Sequence, residues 1–243
     1  MMNLPAAWKN IYIRKIVARK PSSVTTTIWK TTALVVPDQH FPYNDKPYWK
    51  LLLEVANKGG FNTLIVMGDF VDFYRVSGYR KDPRHRMPFT QEVKTANLAL
   101  DQLDKIPGIQ RRIFIEGNHE NRLERLIFDK VPELVDFVDF PSLLRLRERR
   151  YEIVPYHQSI TVGKLILKHD ITYTGRSAVH RNLDAVGDNI GVGHTHHLGI
   201  HYAATAFGKP LVSASFGHGL DLSDGHTRLI EARQPLRGGP AAQ

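Results

Sequence analysis

Asp38, His40, Asp69, Asn118, His169, His194 and His196 all stand at or just after the ends of short apolar runs: ALVV, TLIVM, RRIFI, LILK and IGV. Carboxylates, imidazoles and one amide oxygen suit borderline first-row ions such as Mn²⁺, Fe²⁺ or Zn²⁺ better than Ca²⁺. One histidine after a strand is commonly a hydrogen-bonded loop residue. Five consecutive strand ends carrying such donors point to a shared site, because α/β sheets gather reactive groups beyond the carboxyl ends of their strands. Seven donors are too many for one tetrahedral site. They suit two ions, about 3.5–4 Å apart, that share one bridging carboxylate.

Elements that could position these donors follow from the pattern. A buried strand is expected at Ala33–Val36, then a helix capped by Asn44 or Asp45, with Pro47 in its first turn and Leu51, Leu52 and Val55 as its buried stripe. Gly59-Gly60 stops that helix, and a second buried strand runs from Thr63 to Met67. Helical spacing returns over 90–105, through Val93, Leu98, Leu100 and Leu103, until Pro107-Gly108 breaks it. The stretch RRIFIEGNHE is a third strand and turn, with helices expected over about 119–129 and 141–149. Hairpins are then expected around Gly163-Lys164 and Gly208-Lys209. Strands alternating with helices, followed by hairpins, predict two packed mixed sheets with helices outside.

Composition limits the rest. The chain has 243 residues, 42% of them apolar, 23% charged and none cysteine. Disulfides, thiolate zinc sites and thiol nucleophiles are therefore excluded. No apolar run reaches the roughly 18 residues of a spanning helix, and a cytoplasmic protein is expected. The formal charge is +9, and six cations (Lys9, Arg14, Lys15, Arg19, Lys20, Lys30) fall in residues 1–30 without an acid. This segment reads either as a basic arm for a polyanion or as a solvated extension. The tail over 234–243 is expected to be disordered. Six of twelve histidines lie between 169 and 201, of which His197 and His201 read as ordinary loop and strand residues.

The motifs DQH, GDFVD, GNHE, KH and GHTH, in this order and 25 to 51 residues apart, resemble the signature of the calcineurin-like metallophosphoesterases. The resemblance spans about residues 31–220, within a domain read as 31–233. It implies a four-layer α/β/β/α sandwich with a dinuclear site at the sheet edge. It also implies two divalent ions, Mn²⁺ foremost, with Fe, Zn, Ni or Mg as alternatives. By motif position Asp38, His40 and His196 would hold one ion, Asn118, His169 and His194 the other, and Asp69 would bridge. The implied chemistry is in-line attack on phosphorus by a metal-bound hydroxide, with His119 as general acid or phosphate contact and Asp72 orienting it. Imidazole titrates near neutral pH, as a proton donor to a leaving alkoxide should.

Two positions depart from the phosphoprotein phosphatases of that family. Phe73 stands where the phosphate-clamping arginine is usual, and Phe41 where glycine is. Protein phosphatase activity is accordingly not expected. Instead FYRVSGYRKDPRHRMPF (73–89) offers Arg75, Tyr79, Arg80, Arg84 and Arg86 as substrate contacts, since cations among aromatics suit a nucleotide or single strand. The layout looks most like bacterial and phage-encoded phosphoesterases of that superfamily. The expected activity is hydrolysis of a phosphodiester or nucleotide. A repair-type nuclease and a non-catalytic nucleic-acid-binding scaffold are the alternatives, the latter disfavoured by an intact ligand set.

Overall fold

The computed structural model describes Tyr12–Ile13, Thr27–Ile28 and residues 31–223 apart from Arg84, Thr172 and Arg176. The cations of the basic arm, Arg84 and the 234–243 tail therefore lie outside the described residues. No helix among the described residues is long and apolar enough to cross a membrane.

Short strands β1 (Tyr12–Ile13) and β2 (Thr27–Ile28) come first, followed by β3 (Ala33–Val36), β4 (Thr63–Val66), β5 (Arg111–Ile115) and β6 (Tyr151–Val154). The first sheet has the order β1-β3-β4-β5-β6, with β3 to β6 parallel and β1 antiparallel at the edge. Strands β7 (Ser159–Val162), β8 (Leu165–Lys168), β9 (Ile190–Val192), β10 (Leu198–Ala204) and β11 (Pro210–Phe216) build the second sheet. Its order is β10-β11-β9-β8-β7-β2, mixing parallel and antiparallel pairs. Both expected hairpins form, β7 with β8 and β10 with β11.

The side-chain period of two creates the layers. Ala33, Val35, Ile65, Met67, Ile113 and Ile115 face Ile160, Val162, Leu165, Leu167 and Phe216 across the gap between sheets. Their alternates Leu34, Val36, Leu64, Val66 and Phe114 pack outward against α1 (Lys46–Lys58), α2 (Phe89–Leu103), α3 (Asn121–Lys130) and α4 (Phe140–Leu143). Helix α5 (Ala178–Val186) covers the far face through Leu183 on Ile190, Val192 and Leu211. Burial on both faces explains why these strands read as unbroken apolar runs. The result is an α/β/β/α sandwich.

Of the two caps expected for α1, Asp45 is the one used, accepting the Tyr48 N–H at 2.7 Å. Two expectations are corrected in detail. Leu51 and Leu98 are 39% and 54% exposed, and the buried faces are Trp49, Leu52 and Ala56 on α1 and Ala96, Ala99, Leu100 and Leu103 on α2. Trp49 joins those helices by donating its indole N–H to Gln102. The helix expected over 141–149 stops at Leu143, because Arg145 adopts a left-handed backbone and Arg149 ties the following turn to Leu144 O, Asp101 and Asp104.

Candidate metal centre

Strands β3, β4 and β5 of one sheet and β8 and β9 of the other all release their chains at the same edge. The turns that follow are tight. His40, Asp69, His194 and His196 have φ of 51°, 46°, 56° and 55°, a left-handed backbone uncommon outside glycine that often accompanies functional sites. Gly117 is required by proximity: a Cβ there would stand 2.3 Å from both the backbone N and Oδ1 of Asp69. Gly193 likewise leaves room for Asp38 Oδ1, which a Cβ would meet at 2.5 Å. These two close approaches let the GNH and GHTH turns fold over the carboxylates.

All seven expected donors are brought together. Asp38, His40, Asp69 and His196 form one set of mutually close ligand atoms, and Asp69, His169 and His194 form another. Asp69 belongs to both sets. Its Oδ2 lies 3.8 Å from His40 Nε2 and its Oδ1 lies 3.3 Å from His169 Nε2. His196 Nε2 is 3.0 Å from His40 Nε2 and 3.5 Å from Asp38 Oδ2. Asn118 Oδ1 joins the second set, 3.1 Å from His169 Nε2. His40 and His169 turn their Nε2 atoms inward because their Nδ1 atoms are held elsewhere, at 3.1 Å from Asp72 Oδ1 and 2.6 Å from Met67 O. Outer partners of this kind fix the ring tautomer of metal-ligating histidines.

The electrostatics suit cations. Burial, reinforced by the neighbouring His119, pushes His40 down to about 3. Burial and His169 push His194 down to about 4. Both rings are therefore neutral, as ligands must be. Burial pushes Asp38 up to about 7. Burial opposes charge on His169 too, yet the Asp69 and Asp38 carboxylates raise it to about 10. Asp69, despite the same burial cost, is held well below the usual carboxylate range by His119 and His169. Asp38 Oδ1 and Asp69 Oδ2 are buried and have no hydrogen-bond partner among the described residues. A buried carboxylate oxygen without a donor is costly unless a cation meets it. The donor set, the neutral His40 and His194 rings and these two oxygens fit divalent metal ions.

Asp72 and His119 adjoin the cluster. Asp72 Oδ1 is 3.1 Å from the Nδ1 atoms of both His40 and His119, and the Asp72 carbonyl accepts from His119 Nδ1 at 2.8 Å. Asp72 thus touches two histidines, where the sequence had suggested one. His119 Nε2 faces Asp69 Oδ2 at 3.8 Å.

The 73–89 segment lies beside this pair. Arg75 donates to Met87 O at 2.8 Å and His85 O at 2.7 Å, so its guanidinium braces the loop. Arg80 and Arg86 are exposed, and Tyr79 is 65% exposed. His180 and His201 stack on each other at 3.8 Å, and neither joins the two ligand sets.

Sequence reasoning missed three residues here. Glu120 is fully buried and accepts the backbone N–H groups of Asp69, Phe70, Val71 and Gly117. Arg122 hydrogen-bonds His119 and Asp72. His218, at the end of β11, has its ring 4.9 Å from that of His196. The strand-end rule applied to β11 would have found His218, and the i, i+3 helical spacing from His119 would have found Arg122.

No curated protein matches the chain. Among solved structures, the nuclease MPE of Pseudomonas putida is 16% identical, over 76% of this chain and 73% of that one, with a TM-score of 0.35. A family model, calcineurin-like phosphoesterase, matches residues 31–223. That match takes in every turn carrying the converging donors, and the chain belongs to the calcineurin-like phosphoesterase family.

Proposed function

We propose that the protein hydrolyses a phosphodiester of nucleotide type, with two divalent ions bridged by Asp69. The observation that carries this reading is the division of Asp69, one carboxylate oxygen towards each ligand set. Asp38, His40 and His196 would hold one ion, and Asn118, His169 and His194 the other. Mn²⁺ is the first choice for such oxygen and imidazole donors, with Fe, Zn, Ni or Mg as alternatives. Bound there, such ions neutralise the ester anion and acidify the attacking water.

The remaining work falls to protein groups. His119 keeps its Nδ1–H on the Asp72 carbonyl, which aims Nε2 at the cluster. A proton taken up by Nε2 from water would pass to the leaving alkoxide, while the Nδ1–H stays on the Asp72 carbonyl. Asp38, His40, Asp69 and Asp72 are at most 1% exposed. Bulk water is thereby kept from the carboxylates, and charge interactions at the site are strengthened. Asp72 holds His40 and His119 together, coupling a ligand and an acid through one side chain.

A repair-type nuclease is the second reading, favoured by exposed Tyr79, Arg80 and Arg86 on the segment beside His119. The test is metal-stripped protein reconstituted with Mn²⁺ and given a chromogenic diester, the matching monoester and a labelled single-stranded oligonucleotide. Metal-dependent turnover with the diester faster than the monoester is expected. Cleavage of the oligonucleotide would select the nuclease reading, and a monoester preference would overturn both.

A further inference from the structure

The family position for a phosphate-clamping arginine is filled here by Phe73, whose ring is fully buried against Phe89 at 5.3 Å. A side-chain cation near the phosphoryl group would supplement the metal ions there. Of the cations on the adjoining segment, Arg75 is spent on Met87 O and His85 O. Lys81 is spent on Ser77 Oγ, Ser77 O and Tyr79 O.

Arg122 is differently placed. Its Nη2 lies 2.7 Å from His119 Nε2, the ring atom that is itself 3.8 Å from Asp69 Oδ2. Its Nη1 donates to the Asp72 carbonyl at 2.7 Å, and the side chain is only 14% exposed. It also stands in the first turn of α3, where the helix dipole disfavours a cation. Helix electrostatics therefore do not account for this arginine. The buried Asp72 carboxylate, with Oδ2 3.8 Å from Nη1, accounts for one end of the guanidinium and leaves Nη2 on a ring nitrogen that an anionic oxygen can replace.

We infer that Arg122 supplies the phosphate contact missing at position 73, binding the non-bridging phosphoryl oxygens of the ester from the His119 side of the cluster. The inference rests on the phosphodiesterase reading above and adds to it the residue that grips the anion. A guanidinium on a neutral ring nitrogen makes an ordinary hydrogen bond, whereas on a phosphoryl oxygen it makes a charge-assisted and potentially bidentate one. Arrival of the ester draws Arg122 off Nε2 and onto the phosphoryl oxygens, leaving that nitrogen facing the site. Tyr79 flanks the same guanidinium, with its ring centroid 6.0 Å from Arg122 Cζ, and offers an exposed face to a base or aromatic alcohol beyond the phosphate.

The experiment is calorimetric titration of the Mn²⁺-reconstituted protein with inorganic phosphate, for the parent, Arg122→Met and Arg122→Lys, with metal content measured on each. Arg122→Met should retain its metal and bind phosphate about 10- to 100-fold more weakly, the loss of a charge-assisted contact. Arg122→Lys should recover part of that affinity, as a point charge without the planar fork. Diester kinetics on the same samples should show the loss mainly in KM. Unchanged phosphate affinity in Arg122→Met with metal retained would overturn the inference alone, leaving Arg122 as a residue that positions His119. Loss of metal in both variants would also overturn it, as a purely structural role. Absence of phosphate binding by the metal-loaded parent would overturn the phosphodiesterase reading along with it.

Discussion

Glu120 accepts the backbone N–H of Asp69 at 2.9 Å, reaching across 51 residues of chain. The same carboxylate takes the N–H groups of Phe70, Val71 and Gly117, so one side chain binds the GDF turn to the GNH turn. Glu120→Gln exchanges an acceptor oxygen for a donor that would face N–H groups. Leaving buried donors unmatched costs roughly 2–5 kcal/mol. The variant should melt earlier and hold less metal than the parent, as read by thermal denaturation with and without Mn²⁺ and by metal analysis. Parental melting and parental metal content together would show that the clamp is dispensable.

His119 tests the division between ligand and acid. Its backbone N–H to Asp69 Oδ1, at 2.9 Å, survives truncation of the side chain. His119→Ala should therefore keep its ions and lose about 10²–10⁴ in rate on diesters with alkyl leaving groups. The deficit should shrink for a nitrophenolate, which departs without a proton. Equal deficits on both substrate types would assign His119 to phosphate or metal binding instead.

Glu92 gives a pH dependence away from the ligands. It is fully buried on α2 and accepts the Tyr74 N–H at 3.0 Å. Burial, aided by the Asp72 charge, pushes its carboxyl from 4.5 up to about 8. Between those values the folded chain keeps a proton that the unfolded chain has lost, so stability from this group falls as pH rises through the window. Glu92→Gln removes the titration and retains an acceptor. The melting-temperature difference, variant minus parent, should grow in the variant's favour from about pH 5 to about pH 8.5. A constant difference across that range would mean Glu92 does not titrate there.

The layers of this fold were legible because they depend on local patterns. ALVV, TLIVM and RRIFI alternate between two apolar surfaces, and the donors follow wherever each strand ends. Helix faces were less legible. Trp49 and Ala56 outrank Leu51 on α1 because the stripe is set by which side meets β3 and β4, not by apolar count. Glu120 and Arg122 were hidden for a different reason. A charged pair after GNH looks like solvated helix surface until the fold brings the Asp69 and Asp72 turns against it. Arg75 shows the converse, a cation that composition offers to a substrate and the loop uses to hold its own carbonyls.

Asp69 is proposed to join two ions in one hydrolytic site. Metal-stripped protein titrated with Mn²⁺, with turnover of a chromogenic diester followed at each addition, tests it most directly. No turnover is expected without metal, followed by a rise that saturates at two equivalents per chain. Saturation at one equivalent, or turnover undiminished in the stripped protein, would contradict it.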